Sequence, residues 1–126
     1  MKKYRSNFLK VEFEYPEKYS VEEKITSVIL KKNDELSGEI IFSKYGTNFE
    51  DVKSHVDSVV SKKTTPPTIR QKFIGANMGG ELVYYSDDGR QTIYFVNDYN
   101  VVHFSTPYQL LFPDLETIAK SFTILE

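Results

Sequence analysis

The chain has 126 residues, 40% of them hydrophobic, with nine Phe, nine Tyr, no cysteine, and a formal charge of −2 from 16 basic and 18 acidic side chains. One domain of this length buries roughly two thirds of the surface its unfolded chain exposes, so a single aromatic-rich core needs no staple. The absence of cysteine excludes disulfides, thiolate nucleophiles and Cys-ligated metal centres, and the balanced charge gives no steering toward nucleic acid.

The first seven residues, MKKYRSN, are basic, and Lys2, Lys3, Arg5 and Lys10 are expected to form a solvated N-terminus. No 7–15-residue apolar segment follows them, so they are not an intact signal peptide. The protein is then either cytosolic or an extracytoplasmic domain whose Met1 opens a piece of a longer exported chain. No apolar run approaches the ~20 residues of a membrane span, and no direct membrane insertion is expected.

Phe8–Tyr15 alternates apolar and polar residues from Val11 onward, which reads as a strand with one wet face, ended by Pro16. Val21–Lys32 holds a second strand with Ile25, Val28, Ile29 and Leu30. Asn33-Asp34-Glu35 reads as a turn, and Leu36–Tyr45 as the third strand. From Thr47 to Lys63 the period changes. Phe49, Val52, Val56, Val59 and Val60 fall on one helical face, with Thr47 as N-cap and Glu50 completing a capping box. Thr64-Thr65-Pro66-Pro67-Thr68 is a stiff loop. Ile69–Ile74, Glu81–Ser86, Gln91–Val96 and Val101–Ser105 are strands, separated by glycines at 75, 79 and 80 and by turns at Asp87–Arg90 and Asn97–Asn100. After the Pro107 loop, Pro113-Asp114 opens a helix with Leu115, Ile118, Ala119 and Phe122 on one face. This order predicts one α+β domain over residues 1–126, with a mostly antiparallel sheet, helices packed on it, and bulky side chains on both sheet faces at Val83/Tyr84 and Tyr94/Phe95.

Phe13, Tyr15-Pro16 and Tyr19, the amphipathic helix after the third strand, Gly75-Ala76 before Glu81–Tyr85, and Ser121-Phe122 in the closing helix resemble the PsbP-like domains. That α/β/α sandwich group includes a photosystem accessory protein and a Ran-binding import factor. Many bacterial members carry Trp where this chain has Tyr19. The resemblance covers nearly the whole chain and implies an accessory or docking role without catalysis. It carries over no binding residue position by position.

The candidate chemistry is sparse. His55 stands four residues after Asp51, a spacing that gives either a carboxylate-oriented imidazole or an ordinary surface pair, and the second is expected. His103 lies in a strand in phase with Val101 and Ser105, either satisfied in the sheet or lining a groove. There is no Gly-x-Ser-x-Gly, and the glycines of Gly75-Ala76-Asn77-Met78-Gly79-Gly80 match neither a dinucleotide nor a phosphate loop. Asp87-Asp88 and Asp98 occupy successive hairpin turns, which fall at opposite ends of a meander and do not share a cation. Glu12 and Glu14 share a strand face and are expected to keep it wet.

Tyrosine joins a large apolar area to a polar tip and suits binding surfaces. Among the tyrosines of the C-terminal half, Tyr99 at a hairpin tip and Tyr108 in a Pro-flanked loop are expected to be exposed and to form a contact patch with Phe112. The leading expectation is therefore a non-enzymatic module without cofactor, docking on another protein through this aromatic surface. The alternative is a small-ligand or metal-binding domain with a groove on the sheet near His103.

Overall fold

A computed structural model describes residues 1–33 and 38–125. Its elements are β1 (Lys2–Ser6), β2 (Val11–Tyr15), β3 (Tyr19–Glu23), β4 (Ser27–Lys32), β5 (Glu39–Gly46), α1 (Val52–Ser61), β6 (Ile69–Ile74), β7 (Gly79–Tyr85), β8 (Arg90–Asn97), β9 (Asn100–Thr106), α2 (Phe112–Lys120) and β10 (Thr123–Ile124). A 3-10 turn, Gln109–Leu111, leads into α2. The Asp34-Glu35 part of the expected turn and the expected strand start at Leu36 lie outside the described residues.

Seven strands form one antiparallel sheet in the order β3-β4-β5-β9-β8-β7-β6, and β1-β2-β10 form a second sheet. Alternation along each strand divides the large sheet into two faces. Val83, Tyr94 and Val101 point to α1 and pack with Val56. Ile93, Phe95 and Phe104 point the other way, into a core shared with β2 and α2. Phe13 of β2 stands at the centre of that core, 5.3 Å from the rings of both Phe42 and Phe104. Phe122, just past α2, lies 5.0 Å from Phe95. Each such ring contributes roughly 1.5–3 kcal/mol by leaving water, so this layer is the anchor of the fold. The α2 stripe behaves as its periodicity predicts, with Leu115, Ile118, Ala119 and Phe122 all fully buried. The architecture is thus α+β, mostly antiparallel, with both faces of the main sheet covered.

Four local expectations are corrected. The N-terminus is not a solvated tail: it is β1, paired with β2 from Lys2↔Tyr15 to Ser6↔Val11. Tyr4 buries its ring 5.2 Å from Phe13, while Lys3 and Arg5 face Glu12 at 4.0 and 3.7 Å. The first long strand starts at Val11 rather than Phe8, because the chain reverses through Lys10 at φ 61. The single strand expected over Val21–Lys32 is a hairpin, with β3 and β4 joined through Lys24-Ile25-Thr26. Helix α1 begins four residues later than the Thr47 capping box implies. Asp51 is its N-cap, accepting from the Ser54 N–H at 2.7 Å, because a carboxylate there also satisfies the helix dipole.

Candidate functional site

Two regions of the molecule concentrate groups that folding has not used up. The first is one end of the main sheet. The β3–β4 and β8–β9 turns, the C-terminus of β5 and the end of β6 all emerge there, because Lys44 N–H bonds Thr26, Gly46 pairs with Asn100, and Ile74 pairs with Gly79. The β1–β2 loop joins them, held by the Lys44 ammonium, which donates to the Leu9 carbonyl at 2.6 Å. Every one of these segments carries a large apolar side chain into solvent. Phe8 is 79% exposed, Ile25 81%, Ile74 73%, Tyr99 51% and Tyr45 39%. At about 4.8 Å between strands, Ile25, Tyr45 and Tyr99 follow one another at roughly 7 Å intervals along this end of the sheet, and Ile74 lies about 12 Å further.

Tyr99 itself sits in an unusual backbone. Asp98 and Tyr99 are the two central residues of the β8–β9 turn, flanked by the paired Asn97 and Asn100, with φ of 51° and 58°. Positive φ at both positions defines the type I′ hairpin turn, whose second position favours glycine. A bulky residue there is held against its preference.

The second region is the α1 face of the sheet. His55 is not on the surface with Asp51, as its spacing suggests. It is buried, and its Nδ1 lies 3.0 Å from the Thr47 hydroxyl while the Asp51 carboxylate is spent on the helix cap. His103 stands edge-on to Tyr45 and Tyr94, at ring distances of 5.4 and 5.8 Å. Its Nδ1 and the Nε2 of His55 are buried without a hydrogen-bond partner among the described residues. Burial, then Arg90 and His55, pushes the His103 pKa down to about 4; burial and Lys62 lower that of His55. Both imidazoles are therefore neutral at pH 7. Burial, foremost, raises the Tyr94 hydroxyl well above its ordinary value.

Beyond His103, toward the β7–β8 turn, a cleft of about 260 Å³ opens between the end of α1 and the sheet. This is the groove that the position of His103 in β9 suggests. Arg90, Thr92, Tyr94 and Ser105 line its floor, Tyr85 and Lys63 its outer wall. Sequence reasoning does not single out Arg90, because only the register, Tyr85↔Arg90 in one pair and Thr92↔Ser105 in the next, brings these residues together.

The expected aromatic patch does not assemble. Tyr99 and Tyr108 are both exposed, at 51% and 43%. They stand at opposite ends of β9, roughly 20 Å of extended chain apart. Phe112 is half-buried at the start of α2, its ring 5.7 Å from Tyr84. The turn carboxylates are also apart. Asp87 accepts from the Thr65 hydroxyl at 2.9 Å and Asp88 faces Lys63 at 3.4 Å, at the far end from Asp98. Among the described residues no three His, Asp or Glu side chains converge on a metal position.

No family model matches the chain, and no curated protein matches it. The solution structure of cyanobacterial PsbP (CyanoP) from Synechocystis sp. PCC 6803 superposes with a TM-score of 0.63 over 98% of this chain and 91% of that one, at 10% identity. The fold is PsbP-like. A crystal structure from Bacteroides thetaiotaomicron VPI-5482 gives a TM-score of 0.61 at 12% identity. It covers 99% of this chain, which spans about half, 48%, of that protein. What this chain has in common with these two structures is the arrangement of sheet and helices.

Proposed function

We propose that this protein is a non-enzymatic binding module that docks on another protein through the loop end of its main sheet. The observation that carries this reading is the concentration of Phe8, Ile25, Ile74 and Tyr99, all largely in solvent, on segments that emerge at one end. Isolated exposed apolar residues are ordinary, but contiguous ones mark interaction surfaces. Tyr99 strengthens the reading, since a residue kept in a conformation that favours glycine serves something other than the stability of the turn. An accessory role also agrees with what a PsbP-like fold implies, by analogy of fold.

Catalysis has less support. Neither imidazole bonds a carboxylate among the described residues, and a histidine titrating near 4 is a weak base at neutral pH. The docking reading also moves the contact surface: Tyr99 belongs to it, while Tyr108 and Phe112 do not.

Photo-crosslinking tests the surface directly. A photoreactive residue at Ile25 is expected to trap a discrete protein partner in extracts of the source cells. The Phe8→Ser/Tyr99→Ser protein, labelled at the same site, should lose that product, and Tyr108→Ser should keep it. Equal crosslinking by all three proteins, or none by any, would refute the assignment.

A further inference from the structure

We propose that the cleft between α1 and the β7–β8 end of the sheet is a binding site for a carboxylate. It lies at the opposite end of the sheet from the apolar loops and so stands independently of the docking surface.

The argument begins with Arg90. Its guanidinium donates to the Ser105 hydroxyl at 2.9 Å, and that hydroxyl lies 2.8 Å from Thr92 Oγ1. No carboxylate lies within ion-pair distance of the guanidinium among the described residues, whereas Arg70 has both Asp57 and Glu81. Arginine presents five donors in a planar fork matched to two carboxylate oxygens, and one hydroxyl uses only part of it.

The second observation is Tyr85. Its side chain lines the cleft and is only 6% exposed, yet its hydroxyl has no hydrogen-bond partner among the described residues. A buried hydroxyl without a partner is unfavourable, and a ligand that accepts its hydrogen bond relieves this. Nδ1 of His103, at the inner end of the same cleft, is also buried and unpaired. Lys63 adds a second cation, its ammonium 4.1 Å from the Tyr85 ring centroid. The one acid in the wall, Asp88, is already engaged by the Arg90 backbone N–H at 2.9 Å and by Lys63 at 3.4 Å.

The rest of the lining selects among anions. Ile41, Val59 and the Tyr94 ring are apolar. A volume of 260 Å³ is that of about nine waters, enough for a small organic acid with an apolar body. Arg90, a buried phenol and an apolar wall suit a monocarboxylate better than a strongly hydrated phosphate, since Lys63 is shared with Asp88. The carboxylate comes either from a free organic acid or from the C-terminus of a chain.

Benzoate is the probe for the free acid, N-acetylphenylalanine for a chain terminus, and benzamide and inorganic phosphate are the controls. Binding is followed by titration calorimetry and by the Arg90 Nε–H resonance in 15N-labelled protein. Saturable binding of either carboxylate, with a shift at Arg90 and none from benzamide, supports the site, and the tighter of the two names its source. Arg90→Gln is expected to weaken binding at least tenfold, and Tyr85→Phe severalfold. Tyr85→Phe removes only an unpaired hydroxyl and preserves the fold, so it decides the question if Arg90→Gln unfolds. No saturable binding by either carboxylate, equal binding of benzamide, tighter binding of phosphate, or undiminished binding by Tyr85→Phe each overturns the proposal.

Discussion

Replacing Tyr99 separately by glycine and by alanine isolates the backbone cost of the β8–β9 turn. Both variants remove the half-exposed ring, so the loss of its contacts cancels between them, and the difference reports the turn alone. Tyr99 has φ 58°, in the left-handed region that costs a residue with a Cβ about 1–2 kcal/mol. Glycine escapes that cost but gives up roughly 0.5–1 kcal/mol of additional chain entropy on folding. The balance leaves Tyr99→Gly more stable than Tyr99→Ala by about 0.5–1 kcal/mol, the reverse of the order in an ordinary strand or helix. Unfolding entropy near 2.1 cal/mol/K per residue gives roughly 260 cal/mol/K for this domain, so the expected gap in Tm is about 2–4 °C. Thermal melts followed by circular dichroism, with urea titrations of the same proteins, measure it. An alanine variant that melts with or above the glycine variant would show that the turn holds no such strain, and would remove the backbone argument for Tyr99 as a functional residue.

Gly80 and Gly79 should respond oppositely to alanine. A Cβ at Gly80 would collide with the Tyr94 carbonyl oxygen and stand 2.8 Å from the Phe95 ring, while one at Gly79 meets nothing within 4 Å. Gly80→Ala is expected to cost about 2–3 kcal/mol in urea unfolding and Gly79→Ala to be neutral or slightly stabilising; equal costs would contradict the packing of β7 on β8. Stability should also fall on mild acidification. In the folded protein His103 titrates near 4 and His55 below its ordinary value, whereas both take up protons near 6.5 once unfolded. Below pH 6.5 the unfolded state therefore binds more protons, and stability present in full above that pH declines toward pH 4. His103 alone accounts for about 2 kcal/mol between pH 7 and 5. His103→Gln should flatten the slope of stability against pH over that interval, whatever its effect on the level, and an unchanged slope would rule out His103 as the source.

The parts of the fold legible in the sequence are those whose signal is local and repeated. Helix α2 announces itself by proline in its first turn and by four apolar residues on one face, and all four are buried. The β7–β9 meander shows in its turn residues, although Asp98-Tyr99 lacks the glycine that its turn type favours. What stayed hidden depends on partners distant in sequence. Lys2–Ser6 has too few apolar residues to read as a strand and becomes one because β2 pairs with it and Tyr4 finds Phe13. Ile25 stands between Lys24 and Thr26 with no glycine or proline beside it, so nothing local marks it as the tip of a hairpin, and it points into water. Its place in a turn marked Tyr99 as exposed, while the strand phase of His103 left open whether it is satisfied in the sheet or lines a groove. The grouping of Arg90 with Ser105, and of Ile25 with Tyr99, follows from strand register and loop placement, which composition does not encode.

The strand β6 ends the main sheet and, among the described residues, pairs only with β7, leaving one row of its peptide groups open. Such a margin invites a second copy to zip alongside and begin a fibre. A two-fold related copy would run antiparallel with paired residues on the same face, so each register centres on one residue. Centred on Arg70 it places Arg70 against Arg70, on Gln71 it places Arg70 against Lys72, and on Lys72 it places Lys72 against Lys72. Like charges directly opposite destabilise a strand pair. The registers centred on Gln71 and Lys72 join most of the strand, so these cations disfavour self-pairing there and leave the margin tolerant of a strand that brings carboxylates.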